Sequence, residues 1–208
     1  IRKEGHPSVL KQKFDCHTSV LDLGRKYRRV PSTFPRGDAT AYLKPNPVVV
    51  DRYRKRYLEH GKTVIGLSWA SHSPHVGKPK TLPVEAFEYL FEKFPEACFV
   101  HLQFGPKIED VLWLKEKLGD RYVIDGEVNN YKELDKLAAQ ISACDLVVGG
   151  SNSNMHLAGA LGVPAYMMLS HGSGLLWYWF ADGTNTSPWY ASIKKHYKNV
   201  DEPWEPLV

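Results

Sequence analysis

The sequence predicts an α/β protein built on a doubly wound parallel sheet, on three observations. From Lys62 onward, short apolar runs alternate with amphipathic stretches, giving five β-α steps in a row. The amphipathic stretches carry helical spacing: Leu134, Leu137, Ala138 and Ile141 fall at i, i+3, i+4 and i+7. Turn and cap residues punctuate the boundaries between runs. Such alternation is the pattern of a parallel sheet covered on both faces.

Taken in order, residues 1–47 read as a separate stretch, with a basic cluster at Arg25, Lys26, Arg28 and Arg29 and turn-formers at Pro31, Pro35, Gly37, Pro45 and Pro47. The domain proper is then 48–208. Its strands are expected at Thr63 to Trp69, Cys98 to Gln103, Tyr122 to Asp125, Leu146 to Val148 and Ala165 to Leu169, with Ile193 to Tyr197 as a sixth. Helices are expected at Pro83 to Phe94, Ile108 to Leu118, Tyr131 to Ala143 and Met155 to Leu161, with a Trp-rich segment after the fifth strand. Asn130 and Glu133 form a capping box for the third helix. Pro83 suits a first helical turn, while Gly119 and Gly162 stand where a left-handed stop is wanted.

Composition narrows the function classes. The 208 residues are 43% hydrophobic and 24% charged, an ordinary globular profile long enough for a sizeable core. Cys16, Cys98 and Cys144 are odd in number, far apart and never spaced as a metal or redox pair, which fits a reducing, cytoplasmic setting. The most apolar stretch, Leu157 to Leu169, is broken by Gly162 and Pro164, so no membrane span is expected. A net charge of +4 is too weak a field to argue nucleic acid by itself. The chain opens on Ile1 with no targeting pattern, as a piece of something longer would.

If the strand order is 3-2-1-4-5-6, the first and fourth strands meet at the topological switch point, where ligands bind beyond the carboxyl ends. Two loops are then singled out. One follows strand one: Trp69, Ala70, Ser71, His72, Ser73, Pro74 and His75, leading to Lys78 and Lys80. The other follows strand four: Gly149, Gly150, Ser151, Asn152, Ser153, Asn154, Met155 and His156. Glycines for close approach, hydroxyl and amide caps and an exposed helix start are what an anion site needs. The same run reads equally well as a generous N-cap and nothing more. Neither a dinucleotide glycine fingerprint nor a P-loop occurs at the first strand.

Other candidates give less. His72 and His75 have no cysteine or carboxylate at metal-ligand spacing, so no metal site is expected. There is no Gly-x-Ser-x-Gly elbow, and Cys144 ends an apolar helix face, where a buried inert thiol is expected. Asn185-Thr186-Ser187 matches a glycosylation acceptor relevant only to a secreted protein. Trp177, Trp179, Trp189 and Trp204 read as sugar- or base-stacking residues, or as core and interface.

Leu146-Val147-Val148 through His156-Leu157-Ala158-Gly159-Ala160-Leu161-Gly162-Val163-Pro164, with Ser187-Pro188-Trp189-Tyr190, resembles the C-terminal half of bacterial GT-B glycosyltransferases. The likeness is nearest to the glycosyltransferase-like domain fused to tetratricopeptide repeats, and more distant to heptosyltransferases and O-GlcNAc transferase. Val64 to Ala70 resembles the first strand of that half, and Leu102-Gln103 the end of its second. Phe14 to His17, Leu21 to Leu23 and Ala41 to Pro45 resemble the close of the N-terminal half and the crossover linker. The chain departs from the family in carrying Ser151-Asn152 for Asp-Thr, Tyr178 for Arg within Trp-x-Trp, and Lys80 for Arg.

The resemblance implies a Rossmann-like half of a GT-B fold that binds a nucleotide-diphosphate sugar, without cofactor or metal, and passes the sugar to an acceptor glycan or protein. The donor-binding residues it implies are Trp69, Ser71, His72, Lys80, Gln103, Phe104, Ser151, Asn152, Ser153, Asn154, Met155 and His156. In such folds the base often comes from the other half, leaving His17 as the candidate here. An N-terminal GT-B half or tetratricopeptide repeats are the implied partners. The missing Asp and Arg leave a second reading open, a non-catalytic binding or scaffold module. A third takes the Arg25 to Arg29 cluster as a nucleic-acid surface.

Overall fold

The computed structural model describes residues 13, 15–34, 41–75, 77–172, 174–180, 183–199 and 204. The chain divides into two compact units, Ile1–Pro35 and Arg36–Val208. In the first, helix α1 (Val20–Tyr27) starts at Ser19, whose Oγ accepts from Asp22 N at 3.0 Å, and a 3-10 turn follows at Pro31–Thr33. No residue of α1 is buried.

The second unit holds a six-stranded sheet of β1 (Thr63–Ser68), β2 (Ala97–His101), β3 (Tyr122–Val123), β4 (Leu146–Gly150), β5 (Ala165–Ser170) and β6 (Ile193–Lys198). Every pair is parallel and the order is β3-β2-β1-β4-β5-β6, as the alternation predicts. At the centre β1 runs beside β4 in the register Ile65 with Leu146 to Ser68 with Gly149.

Strand side chains point alternately to two layers. Val64, Cys98, Val100, Val147 and Met167 enter one core cluster, beneath helices α2 (Pro47–Leu58), α6 (Leu134–Ser142) and α7 (Ser153–Ala160). Ile65, Leu67, Phe99, Val148 and Met168 enter the other, with α4 (Glu88–Lys93) and α5 (Ile108–Leu118). Each large apolar side chain so buried contributes roughly 1.5–3 kcal/mol. Both faces are apolar because both are covered, which is why the strands read as continuous apolar runs.

Three details differ from expectation. Pro83 to Phe94 is a 3-10 turn, Val84–Phe87, leading into the short α4, with Pro83 extended ahead of it. The Asn130–Glu133 capping box does not form, because the helix starts only at Leu134 with Glu133 as its N-cap; Asn130 Nδ2 donates to Leu102 O at 2.9 Å. Asn129 organises the turn ahead of the helix instead: its Oδ1 accepts from Tyr131 N and Lys132 N, and its own N–H donates to Glu133 Oε2, while Glu133 at the N-cap position makes no side-chain cap bond. Finally, α2 falls where no element is expected. Asn46 Oδ1 caps it by accepting from Val48 N, Pro47 opens its first turn, and Tyr53 and Tyr57 bury its one core-facing side. Gly119 and Gly162 take positive φ after α5 and α7, the stops expected of them.

Candidate functional site

Beyond the carboxyl ends of β1 and β4 lies a cavity of about 270 Å³. It is lined by Ser68, Ala70, Ser71, His72 and Ser73 from the first loop, Gln103 and Phe104 after β2, Asn152, Ser153 and Asn154 at the start of α7, and Lys80. A second cavity of about 640 Å³ adjoins it, sharing Ala70, Ser71 and His72 and extending toward Lys78, Pro83 and Asp110.

The floor is set by packing between strands. A Cβ at Gly149 would stand 1.9 Å from Ser68 O, so only glycine lets β4 close on β1 here. Gly149 and Gly150 are strand residues approached by protein backbone rather than a turn around a ligand. Ser68 Oγ then accepts from Asn152 Nδ2 at 2.8 Å and Asn154 Nδ2 at 2.9 Å, and Asn154 Nδ2 also donates to Leu102 O at 2.7 Å. Asn152 Oδ1 accepts from Asn154 N at 3.0 Å, capping α7. These two amides tie the helix start to the ends of β1 and β2, and Ser153, between them, remains exposed.

The side walls are similarly fixed. Gln103 Oε1 accepts from Ala70 N at 2.7 Å and its Nε2 donates to Phe104 O, joining the two loops. His72 ring nitrogen meets Phe104 O at 2.9 Å, and Phe104 stacks on Tyr131 with centroids 5.3 Å apart. Thr81 Oγ1 accepts from Ser71 N and donates to Gly77 O, holding the loop that carries the short helix α3 (Gly77–Lys80).

Lys80 is the charged group of the cavity. It is half-buried, burial pulls its pKa below the ordinary lysine value, and no carboxylate pairs with it among the described residues. Its charge adds to burial at His156, which is pushed down to about 4 and is therefore neutral at pH 7. His156 stacks on Trp179 with centroids 4.5 Å apart, and its Nδ1 is 3.1 Å from Tyr190 Oη.

Of the residues singled out in the sequence, Ser71, His72, Lys80, Gln103, Phe104, Asn152, Ser153 and Asn154 come together around one cavity. Four do not line it. Trp69 is fully buried and donates to Asp110 Oδ2 at 2.8 Å, and Met155 is core. Ser151 faces away, accepting from Trp179 Nε1 at 2.8 Å, and His156 sits among Tyr178, Trp179 and Tyr190. His17 is exposed in the first unit. Cys144 is buried and its thiol pKa is raised by burial, as expected of an inert cysteine. Ser68 also lines the cavity, outside the loops that the sequence singles out. Ser68 reads simply as the end of an apolar strand, and only the two amides converging on it mark its role.

A six-stranded, all-parallel sheet in doubly wound order, flanked by helices, defines a Rossmann-like α/β domain. The glycosyltransferase family 9 protein from Veillonella parvula superposes with a TM-score of 0.55 at 18% identity, over 78% of this chain and 44% of that one. The ADP-heptose lipopolysaccharide heptosyltransferase II of E. coli gives 0.54 at 17% identity, over 82% of this chain and 49% of that one. Among curated proteins, FlbA of Caulobacter vibrioides is 30% identical over 198 residues, 94% of this chain but 32% of FlbA. The chain thus spans about a third of that relative's length. No family model matches the chain. Among the described residues, no helix is long and apolar enough to cross a membrane.

Proposed function

We propose that this chain is the donor-binding half of a GT-B glycosyltransferase, holding a nucleotide-diphosphate sugar at the switch-point cavity. The observation that carries the reading is the pairing, across one cavity, of a capped helix start with a half-buried lysine that has no carboxylate partner among the described residues. Positive potential from both directions converges on a space that contains no counter-charge of its own.

An acceptor hydroxyl attacks the anomeric carbon, a new C–O bond forms, and the bond to the diphosphate oxygen breaks. Negative charge therefore builds on the leaving phosphate, and Lys80 with the Ser153–Asn154 end of α7, which line the same cavity, would offset it. The hydroxyl proton goes to a base supplied from outside this domain, by the N-terminal half. The acceptor, glycan or protein, would reach the cleft from an N-terminal half or from attached tetratricopeptide repeats in a cytoplasmic, bacterial protein.

A second reading, a binding module without turnover, is favoured by one specific feature. Where the family carries an acid and a hydroxyl, Ser151 Oγ is committed to Trp179 and the Asn152 amide to Ser68, and no carboxylate lines the cavity. A thermal-shift screen against UDP-, GDP-, ADP- and CMP-sugars tests the site, since a ligand of the native state raises stability by RT ln(1 + [L]/Kd). Absence of any shift removes the donor-site reading. Binding without release of free nucleotide diphosphate, in the presence of the full-length protein, selects the second.

A further inference from the structure

The switch-point cavity is small for the ligand proposed to fill it. Pockets that enclose a whole small-molecule ligand run from about 300 to 1,000 Å³, and this one measures about 270 Å³. A nucleotide-diphosphate sugar has three parts, a nucleoside, a diphosphate and a sugar, so a diphosphate held between Lys80 and the start of α7 leaves the other two to be housed elsewhere. The adjoining cavity of about 640 Å³ shares the wall of Ala70, Ser71 and His72 and has room for one of them. Its remaining lining has a chemistry of its own. Leu82, Pro83 and Val84 give it an apolar side, pinned to the end of β1 where Leu82 N donates to Trp69 O at 2.9 Å. Asp110 and Glu85 bring two carboxylates to it, and Lys78 and Lys107 two ammonium groups. Asp110 is fixed in place, because the fully buried Trp69 donates its Nε1 to Oδ2 at 2.8 Å, while Oδ1 takes no donor among the described residues. Glu85, Lys78 and Lys107 are exposed and enter no ion pair among the described residues.

We infer that this larger cavity is the subsite for the donor's sugar ring, with Asp110 and Glu85 accepting from its hydroxyls and so deciding which sugar is held. The chemistry separates sugar from nucleoside. Among the described residues no Phe, Tyr or Trp lines the larger cavity, so a base finds no aromatic ring there to stack on, whereas Phe104 borders the smaller one. A sugar presents hydroxyls that both donate and accept, and these are met by carboxylates and ammonium groups in charge-assisted hydrogen bonds. Its C–H face is met by the Leu82 to Val84 side. The inference rests on the donor-site reading and adds to it a direction, diphosphate in the smaller cavity and sugar in the larger.

The experiment is isothermal titration calorimetry of the full chain with a nucleotide sugar and with its own nucleoside diphosphate: UDP-glucose with UDP, GDP-mannose with GDP, and ADP-glucose with ADP. For the pair that binds, Asp110→Asn should weaken the nucleotide sugar by about tenfold and Glu85→Gln by about threefold, both leaving the nucleoside diphosphate within about twofold. An asparagine at 110 keeps an oxygen to accept from Trp69 Nε1, and Glu85 is exposed, so thermal unfolding should be unchanged in both variants, which separates lost contacts from lost folding. Sugar-nucleotide affinity that survives both substitutions would overturn the inference. Equal losses for the nucleotide sugar and the nucleoside diphosphate would also overturn it, because they would put the nucleoside or the diphosphate in the larger cavity. Binding of neither member of any pair to the unaltered chain would instead remove the donor-site reading itself, and this inference with it.

Discussion

The ring of Tyr190 lies against Gly159 of α7 so closely that a Cβ there would stand 2.3 Å from Tyr190 Cγ and 2.6 Å from Cδ1. The same tyrosine's hydroxyl meets His156 Nδ1 one turn earlier. Two sequence blocks that carry the family resemblance, His156 to Gly162 and Ser187 to Tyr190, are therefore one packed unit. What they hold is the helix whose start faces the cavity.

Gly159→Ala should accordingly destabilise the fold. Helix propensity alone would favour alanine by about 1 kcal/mol, but the clash is with the base of a ring that cannot swing away. Overpacking of this kind costs about 1–3 kcal/mol, so a net loss is expected in urea unfolding. The double variant with Tyr190→Ala should recover the alanine's propensity gain relative to Tyr190→Ala alone. A double variant whose losses simply add would disprove the contact's role.

The sheet was legible in the sequence because each strand is a short apolar run and each crossover carries its own amphipathic helix. Strand order then follows from the commonest doubly wound arrangement. Helix α2 was not legible, since Asp51, Arg52, Arg54, Lys55 and Arg56 dominate it and only Tyr53 and Tyr57 are buried. At the site the two loops could be named from topology, but not which side chains face inward. Trp69 and Ser151 sit within the named loops yet point to Asp110 and Trp179, partners 41 and 28 residues away that no local pattern announces.

Lys80→Met should weaken phosphate-bearing ligands by about tenfold, ~1.4 kcal/mol, with little or no cost in stability, because among the described residues Lys80 has no carboxylate partner to lose. It has a second readout. Removing the cation removes a repulsion that depresses His156, so the His156 pKa, about 4 in the native chain, should rise when followed by NMR. An unmoved His156 together with unchanged ligand affinity would take Lys80 out of the cavity's electrostatics.

Stability should fall between pH ~6.5 and ~4. His101 and His156 are each pushed down to about 4, chiefly by burial, while an unfolded histidine titrates near 6.5. Between those values the unfolded chain binds more protons than the folded one. The stabilisation is thus fully present above pH ~6.5 and is lost as pH drops through the folded values, at up to roughly 3 kcal/mol per histidine. Unfolding free energy from urea titrations across this window should slope upward with pH, and His156→Gln should reduce the slope by about one proton. A flat profile in the native chain would contradict the burial of both rings.

Ser153→Glu should weaken donor binding by placing a negative charge beside the diphosphate and against the site's helix start. Ser153 is exposed and makes no hydrogen bond that holds the fold, so unfolding should be little changed. Unchanged affinity for the preferred nucleotide would remove this loop from the site.

Donor binding should also proceed without a divalent metal, for reasons that lie in the donor set. Transferases that use Mg²⁺ or Mn²⁺ hold it through hard carboxylate oxygens. Among the described residues, the lining of this cavity is hydroxyls, carboxamides, Ala70, His72, Phe104 and Lys80, with no Asp or Glu. Two of the amide oxygens able to help are already engaged, Asn152 Oδ1 accepting from Asn154 N and Gln103 Oε1 from Ala70 N, and a cation would have to share the space with Lys80. On the proposed reading, the charge of the diphosphate would be met instead by the roughly half positive charge of a helix N-terminus and by Lys80. Titrating the best nucleotide sugar with and without EDTA should give the same Kd within experimental error. A loss of about tenfold on chelation, ~1.4 kcal/mol, would mean that a metal carries the charge and that Lys80 and the start of α7 do not.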